Sequence, residues 1–271
     1  MEVVTREYVT KLRREGRAET TIEKIDWLLS FALPTPGPMS VKDIRPIEIL
    51  TILQRVEKRG RYETARRMRS TIGAVCRYAI ATARATVDPT APLQGALTAA
   101  KVKSRAAVTD PKAFGALLRA VDGFTGQHTT RAALKLMALL FPRPGELRMS
   151  TWEEFDLEGA VWTIPAGRTK MRREHRVPLA RQAVEILRDL KAITGHGSLA
   201  FPCVRATRQP LAENTMNAAL RRLGYYQDQA TPHGFRASAA TLLNESGLWH
   251  ADAIERQLGH VESDDVRRAA E

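Results

Sequence analysis

Residues 141–165, FPRPGELRMSTWEEFDLEGAVWTIP, mark where a helical chain becomes a mixed one. Just upstream, residues 130–141 are almost wholly apolar (Ala132, Ala133, Leu134, Leu136, Met137, Leu139, Leu140), which predicts a buried helix. Pro142, Pro144 and Gly145 stop it. AVWTIP, 160–165, is apolar and β-branched and predicts a strand. Partner strands are expected at about 148–155 and 174–179, with GRTKMRRE as an exposed basic hairpin before the last. Helices are expected at about 180–194, 212–223, 232–246 and 250–258, and Asp110-Pro111 opens another.

The chain before this region reads as helices alone. Residues 2–15 and 19–31 form two, broken at Gly16; Thr20 or Thr21 is placed to cap the second, with Glu23 in its first turn. LPTPGP, 33–38, is a rigid loop. Pro46 starts a third helix with Ile47, Leu50, Ile52, Leu53 and Val56 on its apolar side, ending near Gly60. Residues 62–85 form a long fourth helix. Residues 88–109, with Pro89, Pro92 and Gly95, lack periodicity and read as linker. The expected fold is therefore mainly α with a small antiparallel β-sheet: a helical domain over 1–88, a basic linker over 89–109 and a mixed domain over 110–271.

Composition narrows the function. At ~150 residues per domain, 271 residues suggest two domains. An apolar content of 44% excludes a disordered tail, and 6% aromatics argues against a surface built on base-stacking rings. The net charge of +12 points to a polyanionic partner. It is uneven: residues 1–107 hold 20 Lys and Arg against 11 Asp and Glu, residues 108–271 hold 22 against 19. The clearest cluster is Lys58, Arg59, Arg61, Arg66, Arg67 and Arg69, read either as a solvated helix face or as a phosphate-contact surface. Lys101, Lys103 and Arg105 extend the charge along the linker. Two distant cysteines give no disulfide framework or zinc site. The first ten residues lack the apolar core of a signal peptide, and no apolar stretch reaches ~20 residues, so a cytoplasmic protein without a membrane span is expected.

Four places carry side chains suited to chemistry. Arg143, fixed by prolines and with Glu146 three residues on, is either a bidentate phosphate grip or a surface ion pair. In TPHGFR, 231–236, Thr231 caps and Pro232 starts a helix. His233 and Arg236 then share a face at an anion-attracting N-terminus. Lys170, with Arg172 and Arg173, sits on the basic hairpin. It could reach a DNA groove and give a proton to a leaving oxygen, or it is simply solvated. In ERQLGH, 255–260, Gly259 ends a helix and His260 follows. There is no HExxH and no magnesium-type carboxylate cluster, so no metal is expected and a two-metal nuclease has little support.

Together, RPGELRMSTWEEFDLEGAVWTIP, TKMRREHRVPL, TPHGFRASAATLLNE and IERQLGHVE resemble the tyrosine recombinases, specifically integrases of phages and genomic islands. The resemblance runs through most of 108–269; residues 1–107 match more loosely, as the family's helical core-binding domain. It implies that Arg143 and Arg236 hold the scissile phosphate and that Lys170 is the acid for the departing 5′-oxygen. It further implies that His233 assists proton transfer, His260 bonds the phosphate and Glu146 buttresses the site. It implies metal-free, cofactor-free transesterification through a 3′-phosphotyrosine, double-stranded attachment-site DNA as partner, a homotetramer on DNA and a monomer when free.

The family's nucleophilic tyrosine stands nine or ten residues after the second histidine. Here that window holds Ala269 and Ala270, and the five tyrosines are Tyr8, Tyr62, Tyr78, Tyr225 and Tyr226. Ser263, Asp264 and Asp265 predict a helix start shortly before residue 271. The expectation is a recombinase trimmed at both ends or mutated, inactive in this form. The alternative is a DNA-binding regulator that occupies attachment sites without chemistry. A metal-dependent hydrolase using His233 and His260, or a type IB topoisomerase without site preference, are the remaining readings.

Overall fold

The structure is a computed structural model and describes residues 1–99 and 106–260. The chain divides into two compact units, Met1–Lys103 and Ser104–Glu271. The helix start expected at Ser263 lies outside the described residues, as do Lys101, Lys103 and Arg105 of the linker.

The first unit has four helices: α1 (Glu2–Arg14), α2 (Glu19–Ala32), α3 (Pro46–Glu57) and α4 (Tyr62–Ala81). The long α4 packs against the other three. Ile22, Leu29, Ile49, Leu53, Met68 and Ile72 are fully buried between them. Each such side chain contributes roughly 1.5–3 kcal/mol by leaving water.

Three expectations are corrected here. The cap of α2 is Ala18, not Thr20 or Thr21, because its carbonyl already accepts the Thr21 and Ile22 N–H groups. On α3 the buried residues are Ile49, Ile52, Leu53 and Val56, while Ile47 is exposed. Positions 49, 52, 53 and 56 lie on one face at helical spacing, and 47 falls well off it. Residues 89–99, expected as linker, fold onto the bundle. Asp88 bonds Arg77 of α4 (2.7 Å) and accepts from the Thr90 N–H and hydroxyl, which turns the chain so that Leu93 enters the core.

The second unit is built around α6 (His128–Leu140), buried along most of its length as its composition demands. α5 (Pro111–Asp122), α7 (Pro144–Arg148), α8 (Arg181–Thr194), α9 (Thr215–Arg222) and α10 (Pro232–Ser246) surround it, and α11 (Ala251–Gln257) packs on α10. Asp110 caps α5 by accepting from Ala113 N–H at 2.7 Å. A three-stranded antiparallel sheet, β1 (Phe155–Asp156), β2 (Val161–Ile164) and β3 (His175–Pro178), pairs Trp162 with both Phe155 and Val177.

The first strand is far shorter than the expected 148–155. Arg148 ends α7, and Thr151 and Glu154 form a capping box around a single 3₁₀ turn, leaving only Phe155–Asp156 extended. A second hairpin, β4 (Pro202–Cys203) with β5 (Ala206–Pro210), was not expected. Its prolines and charges mask any strand alternation.

The segment before α5 lies along α10. Val108 N–H donates to the buried Ser238 hydroxyl at 2.9 Å, and a Cβ at Gly234 would stand 2.2 Å from the Ala106 carbonyl oxygen. Gly234 is thus required by close approach of backbone.

Candidate functional site

Arg143 is the N-cap of α7, whose first residue is Pro144. The Glu146 carboxylate, 4% exposed, accepts from Arg143 N–H at 3.0 Å and from Arg143 Nη1 at 2.9 Å. The pair forms, but it leaves the guanidinium free to reach further. Arg143 Nη2 donates to the Gly259 carbonyl at 3.4 Å.

Arg236 stands on α10. Thr231 accepts from Gly234 N–H and Pro232 takes the first helical position, as the sequence predicts. Arg236 Nη1 donates to the Phe141 carbonyl at 2.6 Å and Nη2 to the Leu258 carbonyl. Phe141 adopts a left-handed conformation, φ 53°, at the end of α6. That costs a non-glycine residue of order 1–3 kcal/mol and turns the chain sharply from α6 into α7. Burial, and next the neighbouring Arg143 charge, push Arg236 down to about 10, while Glu146 and Glu255 pull it back. It remains cationic at neutral pH. Two guanidiniums are therefore held close together with one buried carboxylate behind them. An incoming anion would relieve that arrangement.

His260 completes the group. Its Nδ1 lies 2.6 Å from Glu255 Oε2 and its Nε2 lies 3.2 Å from Arg236 Nη2. These contacts fit a ring with its hydrogen on Nδ1 and a lone pair on Nε2. Arg143, Arg236 and His260 thus meet at the loop after α11, with Glu146 paired to Arg143.

His233 is exposed at the second helical position of α10. It lines a cleft of about 250 Å³ with Pro144, Gly145, Arg148 and Asn217. The cleft borders α7, so His233 faces the same short helix that Arg143 caps. Lys170 is exposed in the turn between β2 and β3, with Arg172 and Arg173. Thr169, buried beneath, accepts from Arg173 N–H and donates to the Arg173 carbonyl, closing the turn.

In the first unit, Arg59, Arg61, Arg66 and Arg67 are exposed. Arg66 and Arg67 both pair with Glu63, at 3.9 and 2.7 Å, and Arg69 donates to the Thr90 carbonyl. Surface pairs of this kind are worth ~0–1 kcal/mol and leave the arginines available to phosphates. Lys101 and Lys103, and the Ala269–Ala270 window, lie outside the described residues. Among the described residues there is no cluster of three His, Cys, Asp or Glu placed for a metal, and no helix long and apolar enough to cross a membrane.

Sequence reasoning missed three supporting groups. Arg168 donates to the Glu146 carbonyl (2.7 Å) and pairs with Glu154 (3.1 Å), whose other oxygen accepts from Trp162 Nε1. Burial pushes Arg168 below the ordinary arginine range. Glu255 orients His260, and its five-residue spacing was the available signal. The third group is a run of main-chain carbonyls at 256–259, which no side-chain pattern announces.

Comparison with known proteins gives matching results for both units. The profile described as phage integrase central domain matches residues 1–96, and that described as phage integrase family matches 108–269. The integrase of Enterobacteria phage P4 is 36% identical over 256 residues, covering 90% of this chain and 58% of that protein. The chain therefore spans just over half the length of that relative. A lambda integrase(75-356) dimer bound to a COC′ core site superposes with a TM-score of 0.74 at 21% identity, covering 98% of this chain and 96% of that one. A lambda integrase tetramer bound to a Holliday junction gives 0.72 at 21% identity, covering 97% and 78%.

Proposed function

This chain belongs to the phage integrase family of tyrosine recombinases, and from that membership we propose that it acts in site-specific DNA recombination. Its substrate is double-stranded attachment-site DNA. The first unit, Arg59, Arg61, Arg66, Arg67 and Arg69 foremost, contacts the backbone with Lys101 and Lys103 alongside. The second unit grips the scissile phosphate. Complexes of four protomers on paired duplexes are the working assembly.

The observation that carries this reading is the convergence of Arg143, Arg236 and His260 on one loop, with Glu146 buried behind. Two guanidiniums would bind the non-bridging oxygens and stabilise the added charge of a pentavalent phosphorus. His260, as an imidazolium held through Nδ1–H by Glu255, would donate its Nε2–H to the same phosphate once Arg236 Nη2 turns from that nitrogen to the phosphate. His233, at the mouth of the adjoining cleft, would assist proton movement at the nucleophile. Lys170 would protonate the 5′-oxygen as its bond to phosphorus breaks. A tyrosine oxygen forms the new bond, and the phosphotyrosine keeps the energy needed for rejoining.

Within these 271 residues no tyrosine follows Tyr226, and none stands at the family position near Ala270. We infer that the 271 residues bind and hold the phosphate but form no covalent adduct. A second reading is a regulator that occupies attachment sites without cutting. Covalent trapping on a nicked attachment-site duplex tests the clamp. No adduct is expected with these 271 residues, and an adduct that Arg143→Ala abolishes is expected once the chain carries a tyrosine at 269 or 270. An adduct insensitive to Arg143→Ala would overturn the clamp. Reading the gene past codon 271 decides which role the native protein plays.

A further inference from the structure

His175 opens β3, five residues after Lys170, and meets the loop that follows α11. Its Nε2 lies 3.0 Å from the Arg256 carbonyl oxygen, which also accepts Gly259 N–H at 3.0 Å. Its Nδ1 is buried with no hydrogen-bond partner. The hydrogen therefore belongs on Nε2, and the ring donates to the loop. The ring also lies against Gly259, where a Cβ would stand 2.9 Å from both Cε1 and Nδ1. Gly259 has φ +61°, so backbone and neighbour both require glycine there.

The same loop carries the phosphate-holding groups. Leu258 and Gly259 offer their carbonyls to Arg236 and Arg143, and His260 comes next. Long arginine side chains gain a fixed geometry only if their acceptors are fixed. Among the described contacts of this loop, His175 is the one that ties it to the sheet and to the hairpin of Lys170.

We propose that His175 is a positioning residue that locks the 256–260 loop, and through it sets Arg143, Arg236 and His260 in register with the hairpin. Its functional meaning rests on the phosphate-clamp reading above; the lock itself does not. Without the lock the guanidiniums must be ordered at the moment of binding, which weakens the grip.

Amide hydrogen exchange tests this on the whole chain. The Leu258, Gly259 and His260 N–H groups donate to the Ile254, Arg256 and Glu255 carbonyls at the end of α11 and report on the loop. His175→Gln places an amide donor near the Nε2 position, whereas His175→Asn is one methylene too short. Both lose the ring, so any general destabilisation is shared and the donor's reach is not. Exchange at the three amides should rise about 10-fold in His175→Asn, as expected for one lost hydrogen bond, and stay within about 3-fold in His175→Gln. Exchange in α6 serves as the control for the fold. Equal rates in the two variants would overturn the lock. Adding a 30-base-pair duplex should slow the three amides further in the parent and His175→Gln but not in His175→Asn. If the variants differ as expected while the duplex protects none of them, the lock stands and the phosphate reading fails.

Discussion

Replacing Glu146 by Ala removes two bonds at once. The carboxylate caps α7 through Arg143 N–H and pairs with Arg143 Nη1. A lost cap costs about 1 kcal/mol. A lost charge-assisted bond costs about 1.5–3 kcal/mol, and the lower part of that range applies because the Arg143 side chain is 21% exposed and partly screened. The expected loss is about 3 kcal/mol, equivalent to a fall in Tm of roughly 6–12 °C for a unit of this size. Glu146→Gln keeps an acceptor for the cap but loses the charge, so it should cost about half as much.

Urea denaturation followed by tryptophan fluorescence reads this directly. Trp152, Trp162 and Trp249 lie in the second unit and Trp27 in the first, so a Trp27→Phe background reports on the second alone. An Ala variant within about 1 kcal/mol of the parent, or a Gln variant as damaged as Ala, would refute the argument that Glu146 anchors Arg143.

Other expectations follow from the same contacts. Gly234→Ala should destabilise the second unit by about 1–3 kcal/mol, because its Cβ meets a carbonyl at 2.2 Å rather than a movable side chain; an unchanged melting curve would show that residues 106–108 do not lie on α10. Duplex binding should weaken steeply and linearly on a log–log plot as salt rises, and neutralising Arg59 and Arg61 together should lower that slope by about 2; a salt-independent affinity would contradict the DNA partner. Cys76 is buried, and burial with the nearby Asp88 charge raises its thiol to about 12. It should resist a thiol reagent in the folded protein at pH 8, and rapid labelling would mean the bundle core is open.

Local chemistry was the legible part of this sequence. Asp110-Pro111 and Thr231-Pro232 announce helix starts through capping groups that act within three residues, and both stand where expected. Arg143 and Glu146 were visible as a pair because their spacing is that of a capping box. The buried α6 was legible because it is apolar nearly all round. What stayed hidden depends on distant chain. Leu93 enters the bundle after a turn that Asp88 braces against Arg77 and Thr90. The late start of the strand expected at 148–155 follows from a Thr151–Glu154 box that a β-rich pattern conceals. The anchors of both arginines are carbonyls of Phe141, Leu258 and Gly259, and a main-chain acceptor has no signature in sequence.

The central claim is that Arg143 and Arg236 grip one particular phosphate. The most direct test uses a duplex selected for binding from a random pool, with a neutral methylphosphonate placed at each backbone position in turn. The parent chain should lose affinity most, by about 10-fold or more, at one position, and the Arg143→Ala/Arg236→Ala pair should erase that penalty while other positions keep theirs. The same position profile in the parent and the double variant would contradict the account.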